Sequence, residues 1–528
     1  EQLRRGVVPL WNPYMLCGTP FVANDQSAVF YPETWLFAAL EPERAFAWAA
    51  FAAVFASGCF MFAFLRTWGL RRRAAMVGAV AWMYNGFAVG WMCLPSFRSV
   101  PVWLPLLLAS IAGLSSGRKV LVWTGVGAVA VAMNFLAGNL HISFYVLLTA
   151  VAFAGWMALA KRPRLFGVLA GTAAFMAVGA AMAAVQLLPT VEYAFRSHRQ
   201  HISYDTVLMY RLPWPYLAAC LMPDLFGNPV DYNHWGCMLG DQYRAYTETA
   251  WYAGAVTVVL AVLAFRRGRW RADALFWGAV AVVALALAVG SPLNYLFYAS
   301  VPGFRQLPGI NRAIVMAAFA LATLGAIGAQ GLLESSEVGA QRSRMGRALS
   351  SAAAGVTLVG GVSATWAWVY SGRYEAALGV PLASYTGLQF LRFLAAVLVP
   401  VGAFGAWLYR RCNALWNLAV VALALDMSYF AAHFTPMVSP RYCRPPSEIV
   451  GLLQRETVSS DAAGLRVRLF SEGSNPITGR MPPNVPMLFG LYDIQGSDSI
   501  TYGRYVRLLQ HLRPSQEEEN GKFSQPCV

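Results

Sequence analysis

FRRGRWRADALFWGAVAVVALALAV, Phe265 to Val289, sets four arginines against an apolar run, and that junction decides the fold. A bilayer core of about 30 Å takes about 20 apolar residues as helix, and Ala272–Val289 fits that length. Cations crowded at one end of such a run mark the side it starts from. The whole chain has the same character. Of its 528 residues, 58% are hydrophobic and only 12% charged, with 18 Trp and 31 Phe. A soluble fold does not carry that balance, whereas an α-helical polytopic membrane protein does.

Working outward from Phe265, about 12 membrane helices are expected. They are Glu43–Leu65, Ala74–Cys93, Val100–Leu114, Val120–Leu136, Ile142–Ala160 and Leu165–Leu188. After a long gap come Thr249–Phe265, Ala272–Val289, Ala313–Leu333, Ser350–Tyr370, Gly387–Leu408 and Leu415–His433. Alternate gaps are basic. They hold Arg66 with Arg71–Arg73, Arg118 with Lys119, Lys161 with Arg162 and Arg164, the Arg266–Arg271 cluster, Arg342 with Arg344 and Arg347, and Arg410 with Arg411. Six short basic gaps without a slip make that side cytoplasmic. Most of the net charge of +15 is therefore an orientation signal, and no nucleic-acid partner is expected.

The opposite, extracytoplasmic side receives everything long. It takes a polar first loop over 1–42, outer loops over 189–248 and 291–311 of the bundle at 43–433, and a tail over 434–528. In the tail, EIVGLLQRE and TYGRYVRLLQHL have helical spacing and LRVRLF alternates as a strand, so a small α/β domain is expected. EQLRRG has no apolar core and no initiator Met, so a fragment missing an upstream helix is expected. Eight scattered Cys show no metal spacing and assign no disulfide.

No phosphate loop, zinc helix or nucleophile elbow occurs. The candidates are polar groups on the outer side, each with a bland alternative. Asp25, between Asn24 and Gln26 and ahead of Tyr31, is a general base or ligand, or a turn-former. Asn139 and His141 in AGNLHISFY contact a sugar or phosphate, or cap a helix. Glu192 and Arg196 stand at i and i+4, a spacing that also makes a plain surface ion pair. Glu248 lies at a helix mouth, where an acid also simply suits the dipole. Arg305 and Arg312 flank a Pro-Gly turn and would clamp a phosphate, unless they are solvated. Asp426 lies inside the last span, as a functional acid or a bundle hydrogen bond.

Several of these segments together resemble the bacterial YfhO membrane proteins: GVVPLWNPYMLCGTPFVANDQSAVFYP, GNLHISFY, PTVEYAFRSHR, the Glu248-x-x-Trp-Tyr-Ala-Gly start, GFRQLPGINRA and PPNVPMLFGLYDIQGSDSI. The resemblance implies a GT-C-like helix bundle in the bacterial cytoplasmic membrane. It implies an inverting glycosyltransferase that moves a sugar from a polyprenyl-phosphate donor to a cell-envelope acceptor such as teichoic acid, on the extracytoplasmic face. On that basis Asp25 and Glu248 are the catalytic candidates, with the main acid upstream of Glu1. Arg305 and Arg312 would meet the lipid phosphate, with His141, Asn139, Gln26, Tyr31, Glu192, Arg196 and Asp426 lining the substrate. A divalent metal is compatible with the class, but no ligand cluster demands one. The competing readings are a lipid-carrier or polymer transporter and a non-catalytic envelope scaffold.

Overall fold

The computed structural model describes residues 2–160, 164–197, 202–239, 245–266, 268–337, 339–435, 439, 448–462, 484–494 and 500–512. Each of the twelve apolar segments contains a helix. These are α1 (Pro42–Trp68), α2 (Arg72–Met83), α3 (Leu104–Ser116), α4 (Val120–Leu136), α5 (Leu140–Ala160) and α6 (Leu165–Met182). Then come α7 (Ala255–Ala264), α8 (Arg271–Ala288), α9 (Ile314–Ser335), α10 (Gly339–Ser371), α11 (Leu382–Arg410) and α12 (Asn413–Phe434). Among the described residues nine are long and apolar enough to cross a membrane, with α3 counted from its lead-in at Pro95 and α9 from Ile310.

Of the other three, α4 has the expected bounds, and α2 and α7 are shorter than expected for a local reason. After Met83 the second segment breaks at Asn85, whose side chain caps a new turn by accepting from Ala88 N. The seventh is unwound from Thr249 to Gly254, where Gly254 takes a left-handed φ of 81°. The two interruptions touch. Gly86 N donates to Tyr252 O at 2.7 Å, and a Cβ at Gly86 would stand 2.1 Å from Tyr252 N. Irregular backbone at membrane depth is tolerated only when protein buries it. Trp251, Tyr252 and Ala253 are all buried.

α9 is the hub. Of its most apolar window 94% is buried, and α2, α7 and α8 pack directly on it. A helix apolar on every face has to be surrounded, and its small residues let neighbours close in. Gly325 faces Thr257, and Gly78 of α2 packs on Ala322 and Ala326. The outer helices turn large apolar side chains such as Leu121, Phe166, Val282, Leu358, Leu391 and Leu425 away from the protein. That is the surface a lipid-embedded bundle presents.

The alternation of basic gaps has a spatial counterpart. Trp68 packs on Trp270 with ring centroids 5.2 Å apart, and Arg164 donates to Ser115 O at 3.3 Å. Arg71 pairs with Glu337, Arg269 with Glu334, and Arg73 donates to Asn413 Oδ1. A recess lined by Trp68, Ser115, Arg164 and Arg269 joins these two sets of contacts, so all six basic gaps meet at one end of the bundle.

At the other end the first loop forms a two-stranded hairpin, Trp11–Asn12 against Thr19–Pro20. It docks on the tail, with Asp493 N donating to Tyr14 O and Tyr14 stacked on Tyr492. The tail contains the two expected helices, Glu448–Ala462 and Gly503–Leu512. The expected strand at 465–470 lies outside the described residues.

Gly328 is the most sensitive point of the hub, because a Cβ there would meet Leu260 O at 1.8 Å. Gly328→Ala is expected to cost about 1–3 kcal/mol by overpacking, read as a lower Tm in detergent. Gly355→Ala, in open space on α10, is the matched control and should leave Tm unchanged.

Candidate functional site

The turn that opens α9 places Asn311 and Arg312 at the end of the bundle remote from the arginine gaps. A cation there opposes the positive end of the helix dipole, so it needs a counter-charge. Glu248 supplies it from the turn Tyr246–Glu248, immediately before the unwound segment. Arg312 Nη2 donates to Glu248 Oε1 at 2.6 Å and Nε to Oε2 at 3.3 Å, a fork-on-carboxylate geometry. Asn311 Nδ2 donates to Glu248 Oε2 and to its backbone O, both at 2.7 Å. Arg312 Nη1 lies 3.3 Å from His141 Nδ1. Phe97 and Trp91, stacked at 4.1 Å, receive the guanidinium at 4.9 and 5.5 Å. Both members of the pair are largely buried, at 17% and 15% side-chain exposure.

Asp25 is reached through the first turn of α5. Its Oδ2 accepts from Leu140 N at 3.1 Å, one residue before His141. Asn139 Oδ1 accepts from Ile142 N and caps the same helix. The corner fits closely, since Gly138 has a left-handed φ of 84° and a Cβ there would stand 2.2 Å from Asp25 O. Asp25, Asn139, His141, Glu248 and Arg312 thus form one connected region.

Other candidates fall elsewhere. Arg305 donates to Tyr298 O at 3.0 Å and Ala299 O at 3.4 Å, capping the short helix Pro292–Ser300. It shares no contact with Arg312 among the described residues, so the expected two-arginine clamp is not assembled. Glu192 and Arg196 pair at 2.9 Å on the solvent side of the helix Ala184–Phe195. Its inner face instead offers Gln186 and Tyr193, which hold the first loop through Val22 O and Thr19 Oγ1, with Thr190 accepting from Gln186 Nε2. Gln26 is exposed. Tyr31 is buried with its OH accepting from Trp103 Nε1, and burial, then the Glu33 charge, pushes its phenol up. Asp426 accepts from Tyr252 OH inside the bundle and so fastens the unwound segment.

Two groups escaped the sequence. Arg98, ahead of α3, is buried against Glu33, which also accepts from Ser99 Oγ. An arginine inside WMCLPSFRSVPVW was the available signal, since intramembrane cations are rare without purpose. The second group secures the long outer loop. Asp224 Oδ1 accepts from Tyr246 OH at 2.7 Å and Asn228 Nδ2 at 2.9 Å. Asp231 Oδ2 accepts from Tyr385 OH at 3.1 Å and lies 3.0 Å from His433 Nε2. Burial raises the Asp224 carboxyl, and burial with Asp224 beside it raises Tyr246. No group of three or more His, Cys, Asp or Glu stands together for a metal among the described residues.

Breaking the Glu248 pair is expected to be costly. Glu248→Ala leaves Arg312 without its counter-charge and should cost about 3 kcal/mol, read by chemical denaturation. Glu248→Ala/Arg312→Met should recover part of that loss. His234, against Tyr216 OH, gives the outer loop a pH dependence, because burial lowers it to about 4. The unfolded residue titrates near pH 6.5, so stability is complete above that value and is lost as pH falls toward 4. Relative to His234→Asn, the wild-type loop should lose about 2 kcal/mol between pH 7 and 5, measured by hydrogen exchange of 229–239. No family model, no curated protein and no solved structure matches this chain.

Proposed function

We propose that this protein is a bacterial membrane glycosyltransferase of the GT-C kind. It moves a sugar from a polyprenyl-phosphate donor to a cell-envelope acceptor at the face opposite the basic gaps. On this reading all twelve segments cross or enter the membrane, the basic gaps face the cytoplasm, and an α/β tail joins the first loop outside. The supporting observation is the position of Arg312. It is a largely buried guanidinium fixed by Glu248, Asn311 and two aromatic rings at the polar mouth of an apolar bundle. A lipid phosphate brings a charged head and an apolar tail, and that is where the two would part.

The acceptor hydroxyl attacks the anomeric carbon, the new O–C1 bond forms, and the bond from C1 to the phosphate oxygen breaks. The hydroxyl proton passes to a carboxylate. Both Glu248 oxygens are already taken by Arg312 and Asn311, so Glu248 positions Arg312 and Asp25 is the general base. The lipid phosphate leaves with its charge facing Arg312, where a preorganised cation acts most strongly.

A transporter for a lipid carrier or polymer is the second reading, favoured by one observation. Two interrupted helices meet at Gly86 and Tyr252, with Asp426 on the Tyr252 hydroxyl, as in proteins that bind cargo at broken helices.

In proteoliposomes supplied with a radiolabelled polyprenyl-phosphate sugar, label should appear covalently on the acceptor. Arg312→Lys keeps the charge but loses the fork, and Asp25→Asn keeps the cap but loses the base. Each should slow transfer about a hundredfold or more. Full transfer by a folded Arg312→Lys overturns the assigned role of Arg312, and label that crosses the bilayer unattached supports transport instead.

A further inference from the structure

The basic end of the bundle contains a groove that the proposed reaction does not use. It has a volume of about 520 Å³ and lies between the end of α7 and the first half of α10. Its floor is mostly apolar, formed by Val262, Leu263, Ala348 and Ala352 with the hydroxyl of Ser351 among them, and its rim is cationic, formed by Arg266, Arg344 and Arg347. Leu263, Arg266 and Arg344 also line the adjoining recess, which is bounded by Arg269, Arg271 and Glu334, the last of these paired with Arg269.

Orientation alone accounts for arginines on this face, but not for this arrangement. Arg71, Arg269, Arg73 and Arg164 each find a carboxylate, amide or carbonyl of the protein. Arg266, Arg344 and Arg347 are exposed, and their guanidinium groups have no hydrogen-bonding or ionic partner among the described residues. Arg344 and Arg347, three apart on a helix, share one face, and Arg266 approaches the same groove from α7. Convergent guanidinium groups with no carboxylate of their own fit the oxygens of a phosphate. The apolar floor beneath them accepts hydrocarbon. Val262 within the groove and Val359, about two turns beyond it on α10, are exposed large apolar residues, so the groove is continuous with the apolar flank of the bundle. A head bearing phosphate above an apolar chain is what this shape and charge complement.

We propose that this groove is a binding site for an anionic phospholipid of the membrane leaflet. The phosphodiester sits among Arg266, Arg344 and Arg347, and an acyl chain lies along Val262, Leu263, Ala348 and Ala352. The site is separate from the Arg312 region and does not depend on the reaction assigned there.

The test is native mass spectrometry of the detergent-solubilised full chain titrated with phosphatidylglycerol, phosphatidylcholine or inorganic phosphate. The wild type should retain phosphatidylglycerol about tenfold more strongly than phosphatidylcholine. Arg344→Gln/Arg347→Gln, and separately Arg266→Gln, should remove about tenfold of that retention. Their Tm should not change, because these side chains hold no partner among the described residues. Arg118→Gln, on the same face but outside the groove, should bind like the wild type. Three outcomes overturn the site: groove variants that bind as the wild type does, an Arg118 variant that loses as much, or displacement of the lipid by equimolar inorganic phosphate. If the groove variants melt early, Leu263→Trp provides a second arm, since filling the floor should lower retention with every arginine in place, and unchanged retention counts against the site.

Discussion

Everything at the polar end of this bundle depends on keeping one positive charge out of water. Arg312 stands where α9 begins, and there the helix dipole repels a cation and attracts an anion. Removing a guanidinium from solvent costs several kcal/mol unless its partner and geometry are good. Glu248 answers both demands, since its carboxylate neutralises Arg312 and also suits the helix start. Asn311 then occupies a Glu248 oxygen that would otherwise depend on Arg312 alone. Trp91 and Phe97 close the remaining side with π faces. Because α9 is packed on nearly all sides, this charge is fixed to the most rigid element of the fold.

Glu248 can be in that place only because the seventh segment does not start as a helix. A regular helix from Thr249 would satisfy its own backbone and leave no reason to meet α2. The unwound stretch hands its polar groups to neighbours. Tyr252 O accepts from Gly86 N, Ala253 N donates to Cys220 O, and Tyr252 OH donates to Asp426. Those bonds couple α2, the outer loop and α12 to the residues just after Glu248. Asp426 is then more economically explained as an anchor of this break than as an independent site.

The helices were legible because hydropathy and charge are properties of composition over a window, and each expected segment does contain one. The breaks in two of them were not. Asn85-Gly86 and Gly254 interrupt apolar stretches without making them polar, so a span ruler passes over them. The polar candidates divided along the same line. Asp25, Asn139, His141, Glu248 and Arg312 meet because loops far apart in sequence return to one end, which the basic gaps made foreseeable. Within GFRQLPGINRA, however, nothing in the residue types says that Arg312 turns inward and Arg305 caps a neighbouring helix. Direction depends on which side of a short turn each residue occupies. Glu192 and Arg196 carry the converse lesson, since helical spacing joins them equally well on a solvent face, and the residues that grip the first loop are Gln186 and Tyr193.

Pairing does not exhaust Arg312. A guanidinium has five N–H donors in a fixed plane. Glu248 takes one from Nε and one from Nη2, and His141 stands against Nη1. One N–H therefore remains on each terminal nitrogen, and with Nε and Nη2 fixed on the carboxylate, the rotation that could waste them is removed. The pair consequently acts as a template. Glu248 sets the plane, the aromatic rings set the tilt, and the edge left over can meet an oxyanion without losing the ion pair that holds it. On the proposed reading a departing phosphate meets a donor whose orientation was fixed when the protein folded, and an unpaired surface arginine such as Arg344 cannot offer that. The same residue type thus serves two purposes at the two ends of the bundle. A held arginine suits charge that develops at one point during a reaction, and a free one suits a headgroup that can settle in several ways.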